Sequence, residues 1–306
     1  AEKRIDEINS AIYCFDVRFL FRALSRLGSD NAQDEYYLTD VVEMASRRSA
    51  AATVVAADET EVLGVDSRAA LASAEALMQE RLISGWMDKG VTFVDPASVH
   101  LSVDTTIGRD TVIGPQVKLD GATRIGRRCA IDGACHLSET TVGDGTRVRW
   151  GVVADHASVG NGVSLGPYAH LRPAAELADE VHIGNFVEVK KSRIGKGSKA
   201  NHLSYIGDAE VGEAVNIGAG TITCNYDGFD KHRTVIGDRV QIGSDTQLVA
   251  PVEIGADSYI AAGSTVSSDV EPGSLAFNDK KQRTRKNWVK NFRKRQSKLR
   301  RGDKGG

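Results

Sequence analysis

The sequence is poor in aromatic residues and in proline, and it has no long apolar run. Aromatic residues make up 6% of the 306 positions, and 6 prolines stand against 31 glycines. This balance is typical of a chain with many tight corners around a narrow core that accepts aliphatic side chains. No stretch reaches the roughly 18 consecutive apolar residues of a transmembrane helix, so no membrane span is predicted. The charged, polar start AEKRIDEINS does not resemble a signal peptide.

The few cysteines exclude two further classes of protein. Cys14, Cys129, Cys135 and Cys224 form no CxxC pair, so the sequence indicates neither a zinc ribbon nor a disulfide framework. Cys129 and Cys135 each lie four residues after an apolar position of the repeat described below, which is a place for small side chains. We interpret them as core thiols in a reducing cytoplasm, where the protein is expected to work.

The net charge of −2 conceals an uneven distribution. Residues 280–306 contain 13 Lys or Arg and a single acid, Asp303, so the rest of the chain is acidic. A basic tail can bind nucleic acid or an anionic membrane, or contact a phosphorylated cofactor. The interpretation favoured here is a solvated, partly disordered arm, and we expect neither a membrane nor a nucleic acid as partner.

The most informative pattern is an aliphatic residue that recurs every six positions, often followed by glycine. A period of six fits neither an α-helix, with 3.6 residues per turn, nor a lone strand, with two. It is the signature of a parallel β-helix, in which each repeat supplies one short strand and one corner. Glycine is expected to permit the corner because it tolerates unusual φ. The inward column is predicted at Ile107, Ile113, Leu119, Ile125, Ile131 and Leu137, at Val153, Val159, Leu165, Leu171, Leu177, Ile183 and Val189, and at Ile236, Ile242, Leu248, Ile254, Ile260 and Val266.

The chain divides into three parts. Residues 1–88 mix short strands and helices, and we interpret them as the end of a larger α/β domain. Residues 89–278 form the solenoid, with roughly nine or ten coils and one polar, aromatic-bearing interruption at 223–234. Residues 279–306 are the basic tail. The elements predicted in the first part are strands at 12–15 and 52–57 and helices at 16–27, with Asp16 as N-cap, at 38–48 and at 67–87.

Unusual polar residues concentrate between 170 and 245. Arg172, Lys190 and Lys231 are suited to neutralising a phosphate together, because Arg binds it bidentately and Lys acts as a point charge. His202 is a candidate general base at neutral pH. Asn216 and Asn225 have amides that can donate to a carbonyl or a sugar hydroxyl.

Four stretches carry a resemblance to one family: LRPAAEL (171–177), HIGNFVEVKKS (182–192), GKGSKANHLSYIGDAEVGEAVNIGAGTITCNYDG (195–228) and IGSDTQLVAPVEIG (242–255). They resemble the bifunctional bacterial N-acetylglucosamine-1-phosphate uridyltransferase / glucosamine-1-phosphate acetyltransferases, the GlmU family. The resemblance implies a left-handed β-helix that assembles as a homotrimer with sites between subunits. It implies transfer of the acetyl group of acetyl-CoA to the amine of glucosamine 1-phosphate. The product, N-acetylglucosamine 1-phosphate, would serve UDP-N-acetylglucosamine, peptidoglycan and lipopolysaccharide synthesis.

The same resemblance assigns roles to individual residues. His202 would accept the proton of the attacking amine, and Glu188 would help to orient that amine. The sugar-phosphate contacts fall on Arg172, Lys190, Tyr205, Asn216 and Lys231. The acetyl-CoA contacts fall on Ala219, Asn225, Tyr226, Ser244 and Ala262. Asn225 would also polarise the thioester carbonyl.

The sequence departs from the family pattern at both ends. Asp279 stands where the family often has a cofactor-binding Arg, and Lys280, Lys281 or Arg283 are the candidates to replace it. In the first part the family's Gly-rich nucleotide loop, activating Lys and metal-binding Asp are absent. Asn9 matches a nucleotide-sugar contact, and Asp66 stands where the family has a metal-binding Asn.

Two remnants do not make a uridyltransferase site. Asp66 is a candidate Mg²⁺ ligand or a helix N-cap, and Mg²⁺ is expected only for the uridyltransferase half. We therefore expect this chain alone not to form UDP-N-acetylglucosamine from UTP, whereas the complete protein would.

Three classes of function stay open at this stage. The first is the sugar-phosphate acetyltransferase, and the second is another hexapeptide enzyme that uses an acyl-CoA. A zinc carbonic anhydrase of this fold needs three converging His ligands, and no HxxxxH spacing occurs. The third is a non-catalytic solenoid with a nucleic-acid-binding tail, where Trp288 and Phe292 would pack in an assembly.

Overall fold

The computed structural model describes residues 9–48, 58–279 and 281–302. The chain falls into two compact units, Ala1–Arg81 and Leu82–Gly306. The predicted division near residue 88 lies at the end of a helix, Arg68–Asp88, whose last residues from Leu82 belong to the second unit. Among the described residues, no helix is both long and apolar enough to cross a membrane.

The first unit is helical in the part that the structure describes. It contains α1 (Val17–Leu24), α2 (Thr39–Ser46), a 3₁₀ turn (Glu59–Val62) and most of α3 (Arg68–Asp88). Asp16 caps α1 as predicted, because its Oδ1 accepts a hydrogen bond of 2.8 Å from the amide of Phe19. At α3 the cap is Ser67, whose Oγ accepts from the amide of Ala70 at 3.0 Å. The N-cap alternative for Asp66 is therefore wrong by one residue.

The strand predicted at 12–15 does not form. These residues have no regular structure, and Ile12 is 71% exposed. A strand needs a neighbour for its backbone N–H and C=O groups, and the described residues of the first unit contain no strand that could pair with it. The second predicted strand, 52–57, lies outside the described residues.

The second unit is a parallel β-solenoid, as the six-residue period predicts. Thirty short strands, numbered β1–β30 in chain order within residues 92–276, form three sheets in which every third strand is a neighbour and all pairs are parallel. A 3₁₀ turn, Pro96–Ser98, follows β1. The left hand of the coil rests on the family resemblance. The sheet with ten strands gives ten turns, in agreement with the nine or ten expected.

The strands of each sheet lie along the chain in regular steps. Sheet I contains Thr92–Phe93, Val112–Ile113, Ala130–Ile131, Arg147–Val148, Ser164–Leu165, His182–Asn185, Lys199–His202, Asn216–Ile217, Gln241–Ile242, Tyr259–Ile260 and Leu275–Ala276. Sheet II contains His100–Leu101, Lys118–Asp120, His136–Ser138, Val153–Asp155, His170–Leu171, Glu188–Lys190, Tyr205–Gly207, Ile222–Cys224, Gln247–Val249 and Thr265–Val266. Sheet III contains Thr106–Ile107, Arg124–Ile125, Thr141–Val142, Ser158–Val159, Ala175–Leu177, Ser192–Ile194, Ala209–Val211, Thr234–Ile236 and Val252–Ile254.

One turn takes 17 or 18 residues, so residues that far apart in sequence are direct neighbours. In sheet II, His170 pairs with Glu188, and Glu188 pairs with Tyr205. One step is longer, because Glu210 pairs with Val235, 25 residues later. The extra residues leave the coil at 225–233, which we call the insertion loop. It coincides with the interruption predicted at 223–234.

The core is a column of aliphatic side chains with a second column of small residues beside it. Ile113, Leu119 and Leu171 of the first column are fully buried. The second column lies two residues earlier in each repeat, and its hydroxyl groups bond to carbonyls of the next turn, as in the 2.8 Å bond from Thr111 Oγ1 to Gly126 O. Cys129 belongs to this column, as does Cys135, and burial raises the pKa of both thiols. The prediction that they are core thiols is confirmed.

One member of the predicted column is wrong. Val153 is 41% exposed, whereas Ala154 is 1% exposed and takes the inward position. The sequence pattern favoured the larger aliphatic residue, but a short step of five residues occurs after Ala154, between it and Val159, so the register there is set by the small residue.

The glycines that follow the inward residues serve close approach rather than unusual φ. An added Cβ at Gly114 would lie 2.0 Å from the carbonyl oxygen of Asp132 in the next turn. The left-handed conformation occurs two residues later, at non-glycine positions such as Gln116 (φ +57°) and Arg128 (φ +53°). The predicted reason for glycine was therefore wrong at these corners.

Helix α3 closes the first turn of the solenoid. Ile83 is 5% exposed and belongs to the same hydrophobic core as Val91 and Phe93, and Trp86 packs against it. The carbonyl of Trp86 accepts a hydrogen bond of 3.1 Å from the amide of Val91. The helix thus covers apolar side chains that a first turn would otherwise expose to water.

Replacement of Gly114 by Ala should destabilise the solenoid by about 1–3 kcal/mol, because the added methyl group meets backbone of the next turn. Gly85→Ala is the matched control, since an added Cβ there meets nothing within 4 Å and alanine favours the helix. The measurement is the midpoint of urea unfolding, followed by circular dichroism. Equal midpoints for the two variants would contradict the close-approach argument.

Candidate active site

Two groups of polar residues lie on neighbouring parts of the solenoid surface between residues 170 and 262. The first group follows one corner of the coil, directly after the strands of sheet I. The second group lies on the outer side of sheet II and in the insertion loop. Both groups contain residues that the sequence singled out.

The first group is a vertical column at the corner after sheet I. Each member lies two residues after an inward residue, and successive members lie one turn apart. We call it the corner column, and its members are Asn185, His202, Ala219, Ser244 and Ala262. The candidate base is therefore in line with three of the predicted cofactor contacts. The small side chains above His202 leave the corner open to a narrow ligand.

His202 is held in one orientation by its neighbour in the column. Its Nδ1 lies 2.7 Å from Oδ1 of Asn185. An amide oxygen only accepts hydrogen bonds, so Nδ1 carries the proton and Nε2 keeps a free lone pair. The His202 side chain is exposed, which leaves that lone pair available to a ligand. This is the arrangement that a general base requires.

A shallow cleft of about 300 Å³ lies next to His202 on the side of sheet I. Its lining includes Arg149, Pro167, His182, Asn185 and His202. A ligand that reaches Nε2 therefore has both polar and cationic groups within the same cleft.

The second group begins with an ion pair on sheet II. Nη1 of Arg172 donates to Oε1 of Glu188 at 2.9 Å, and the bond raises the pKa of Arg172. Both side chains remain partly exposed, at 42% and 35%. Glu188 pairs in register with Tyr205 of the next turn. The guanidinium is therefore held in place with N–H groups left for a further anion.

Two lysine side chains meet above this pair. The side chains of Lys190 and Lys231 are within hydrogen-bonding reach, and this contact, together with the repulsion of the two charges, lowers the pKa of Lys231. Asp208 and Tyr205 act in the opposite direction. We call Arg172, Lys190 and Lys231 the cationic patch. Two ammonium groups this close favour an anion between them, because an anion replaces their repulsion with attraction.

The insertion loop is fastened by one carboxylate. Asp227 accepts hydrogen bonds from the amides of Asp230 (2.7 Å) and Phe229 (2.8 Å) and lies 2.7 Å from Nε2 of His232. The bond from the Asp230 amide, followed by that from His232, holds the pKa of Asp227 well below its usual range. Because Tyr226 and Lys231 form an antiparallel bridge across the loop, the carboxylate fixes the segment that presents Lys231.

The start of the loop is anchored at Asn225. This side chain is only 8% exposed, and its Nδ2 donates to Oδ2 of Asp208 and lies 3.5 Å from the hydroxyl of Tyr205. One amide hydrogen of Asn225 is therefore already engaged. The predicted polarisation of a thioester by Asn225 would use the other.

The remaining predicted residues lie apart from these two groups. Asn216 is exposed on sheet I, in register with Lys199 and Gln241. Tyr226 is 60% exposed, and its hydroxyl donates to the carbonyl of Gly228 at 2.7 Å. Asp279, Lys281 and Arg283 are exposed, and Lys280 lies outside the described residues.

The nucleotide remnants belong to the first unit. Oδ1 of Asn9 accepts from the amide of Ala11 and the hydroxyl of Tyr13, and Asp66 precedes α3. Over the residues that the structure describes, no group of three or more His, Cys, Asp or Glu is placed to hold a metal ion. The roles of Asn9 and Asp66 stay predictions.

Comparisons with known proteins give a consistent result. The bacterial transferase hexapeptide model (six repeats) matches residues 233–268. The "Bifunctional protein GlmU" of Pelobacter propionicus is 49% identical over 288 residues, which cover 94% of this chain and 63% of that protein. The GlmU of Prochlorococcus marinus is 50% identical over 280 residues, covering 92% of this chain and 62% of that protein. Over the length that it spans, the chain belongs to the GlmU family.

The chain spans somewhat less than two thirds of the length of these GlmU relatives. A solved structure, the UDP-N-acetylglucosamine acyltransferase of Francisella novicida, is 13% identical with a TM-score of 0.42, over 60% of this chain and 66% of that one.

The sequence reasoning missed three residues of the GlmU-like site. Asn185, Asp208 and Asp227 bond to His202, Asn225 and the insertion loop, respectively. A usable signal exists for Asn185, because it precedes His202 by 17 residues, which is one turn. Asp227 lies in the sequence Asp-Gly, a turn signal, but its three partners come from local geometry that spacing does not show.

Replacement of Asp227 by Asn should loosen the insertion loop. The variant should exchange the amide hydrogens of Phe229 and Asp230 faster, as measured by hydrogen exchange at pH 7. In the wild-type protein this ordering should be complete above about pH 4 and be lost only as the pH falls through the lowered pKa of Asp227. Asp230→Asn is the matched control, since it removes a charge from the same loop but keeps the Asp227 carboxylate. Unchanged exchange in Asp227→Asn would contradict this account.

Proposed function

We propose that the second unit transfers the acetyl group of acetyl-CoA to the amine of glucosamine 1-phosphate. The observation that carries the proposal is the position of an oriented His202 on the turns that also carry the cationic patch. A base and an anion site on adjoining faces suit an acceptor that has a nucleophile at one end and a phosphate at the other. Membership of the GlmU family supports this choice of substrates.

The proton transfer follows from the orientation of His202. As the amine nitrogen attacks the thioester carbonyl carbon, Nε2 accepts the proton that the amine loses. The tetrahedral intermediate then collapses, the C–S bond breaks, and the CoA sulfur leaves and takes up a proton. Asn185 keeps its bond to Nδ1 while the ring is charged, which stabilises the imidazolium. A positioned base of this kind contributes about 10²–10⁴ in rate.

The cationic patch would bind the phosphate of the acceptor. Lys190 and Lys231 offer point charges that repel each other until an anion binds, and Arg172 offers a planar fork. Glu188 and Tyr205 lie on the same face, where they would orient the amine and contact the sugar, as would Asn216. The insertion loop that delivers Lys231 also carries Tyr226, so it would contact both substrates.

The corner column would receive acetyl-CoA. Ala219, Ser244 and Ala262 are small, so the thin arm of the cofactor would reach the backbone of this corner without displacing a side chain. The acetyl group would then lie beside His202, at the lower end of the three small residues. The buried free thiols and the use of acetyl-CoA favour a cytoplasmic location.

We also propose that the active form is a homotrimer with its sites between subunits. A strip of large apolar side chains, Trp150, Tyr168, Phe186 and Leu203, follows four successive turns next to His202, and each is 41–61% exposed. The rings of Tyr168 and Phe186 are stacked at 5.6 Å. A strip of this size favours cover by another protein surface, and a second copy would place that surface beside His202.

His202→Ala should lower kcat/KM for acetyl transfer by about 10²–10⁴. The measurement is CoA release from acetyl-CoA with glucosamine 1-phosphate, and glucosamine without the phosphate should support little turnover. Asn185→Leu should lower kcat with little change in KM, because it removes the orientation and not the base. His136→Ala, in a distant turn, is the control and should keep full activity. Full activity in His202→Ala would refute the role of the base, and equal turnover with other amines would favour a different acyltransferase.

Phe186→Asp should disperse the homotrimer, because it would bury a charge in the interface. The expected result is a shift of the mass in solution from three chains towards one chain of 32.8 kDa, measured by light scattering during size-exclusion chromatography. Acetyl transfer should fall in parallel. Val103→Asp is the control, since Val103 is 68% exposed and lies away from the strip. An unchanged mass for Phe186→Asp would contradict the interface.

A further inference from the structure

The C-terminal segment has a surface that the proposed acetyl transfer does not use. Residues 281–302 contain eleven Lys or Arg and no acid, and they end in the helix α4, Trp288–Gly302. Every side chain that the structure describes from Lys281 to Ser297 is exposed. The acidic remainder of the chain therefore does not neutralise this segment.

Helix α4 has an apolar side and a basic side. At 3.6 residues per turn, Trp288, Val289 and Phe292 face one direction, and Lys290 and Lys294 face the other. Trp288, Val289 and Phe292 are 50%, 54% and 45% exposed. The two rings are stacked on each other at 5.0 Å with an interplanar angle of 6°, so they form one continuous apolar surface.

The two sides together select one class of partner. An anionic bilayer offers phosphates to the basic side chains and an apolar layer directly beneath them, so it satisfies both sides at once. A nucleic acid would satisfy the charges but leave the apolar side in water. One face of each ring is also already covered by the other ring, which weakens the stacking on bases that single-stranded nucleic acids use.

We propose that residues 281–302 bind the surface of an anionic lipid bilayer, with Trp288, Val289 and Phe292 at the boundary between headgroups and acyl chains. The basic side chains then lie among the headgroup phosphates. This replaces the expectation of no membrane partner, and it is surface binding rather than a span. The proposal does not depend on the acetyltransferase activity.

The experiment is co-sedimentation of the full chain with vesicles. Vesicles of phosphatidylcholine with phosphatidylglycerol should bind the protein, and vesicles of phosphatidylcholine alone should bind it at least about tenfold more weakly. Binding should weaken as the salt concentration rises. The double variant Trp288→Gln with Phe292→Gln keeps all eleven positive charges, and its binding should fall at least about tenfold. Val94→Gln with Val103→Gln, two exposed residues elsewhere, should bind as the wild type does.

Three outcomes would overturn the proposal. Unchanged vesicle binding in the Trp288/Phe292 variant would show attraction by charge alone. Tighter binding to short duplex DNA or to RNA than to vesicles, unaffected by the same variant, would assign the segment to nucleic acid. A change in mass of that variant without vesicles would show that α4 packs against a second copy. CoA release is measured on each protein and should not change, which separates this test from that of the proposed function.

Discussion

The parallel hydrogen bonding of each turn to the next is the constraint on which the rest of the structure depends. It requires a turn of 17 or 18 residues, an aliphatic residue inward on each face, and a close approach of backbones at the corners. Outward positions are then aligned in columns, because the same register that stacks Val189 on Leu171 also stacks their neighbours. Function in such a molecule is arranged along the solenoid axis rather than around a single loop.

The candidate site combines two such columns with one departure from the repeat. Asn185 and His202 are neighbours because they are one turn apart, and the same holds for Glu188 and Tyr205. Lys231 is different, because it comes from the 25-residue step and reaches Lys190 only through the insertion loop. The regular coil thus supplies the base and its orientation, and the irregular segment completes the charge that an anionic substrate needs.

The sequence predicted what periodicity controls. The solenoid, its interruption, the buried thiols of Cys129 and Cys135 and the cap at Asp16 all follow from short-range pattern. It was wrong where a contact with another turn decides the outcome: Ala154 replaces Val153 inside, and glycine at position 114 is needed for the backbone of Asp132 rather than for φ. Asp208 and Asp227 were missed because ordinary carboxylates carry no spacing that reveals their partners.

Helix α3 gives the solenoid two unequal ends. Turns of a repeat protein are stabilised by their neighbours, so such a protein loosens from whichever end is uncovered. Ile83 and Trp86 cover the first turn, whereas Leu275 and Phe277 at the far end are 61% and 63% exposed. Loosening therefore begins at the last turns. The turn of His202 lies several turns inside that end, so the final coils act as an expendable buffer that keeps the base in register while the terminus opens and closes.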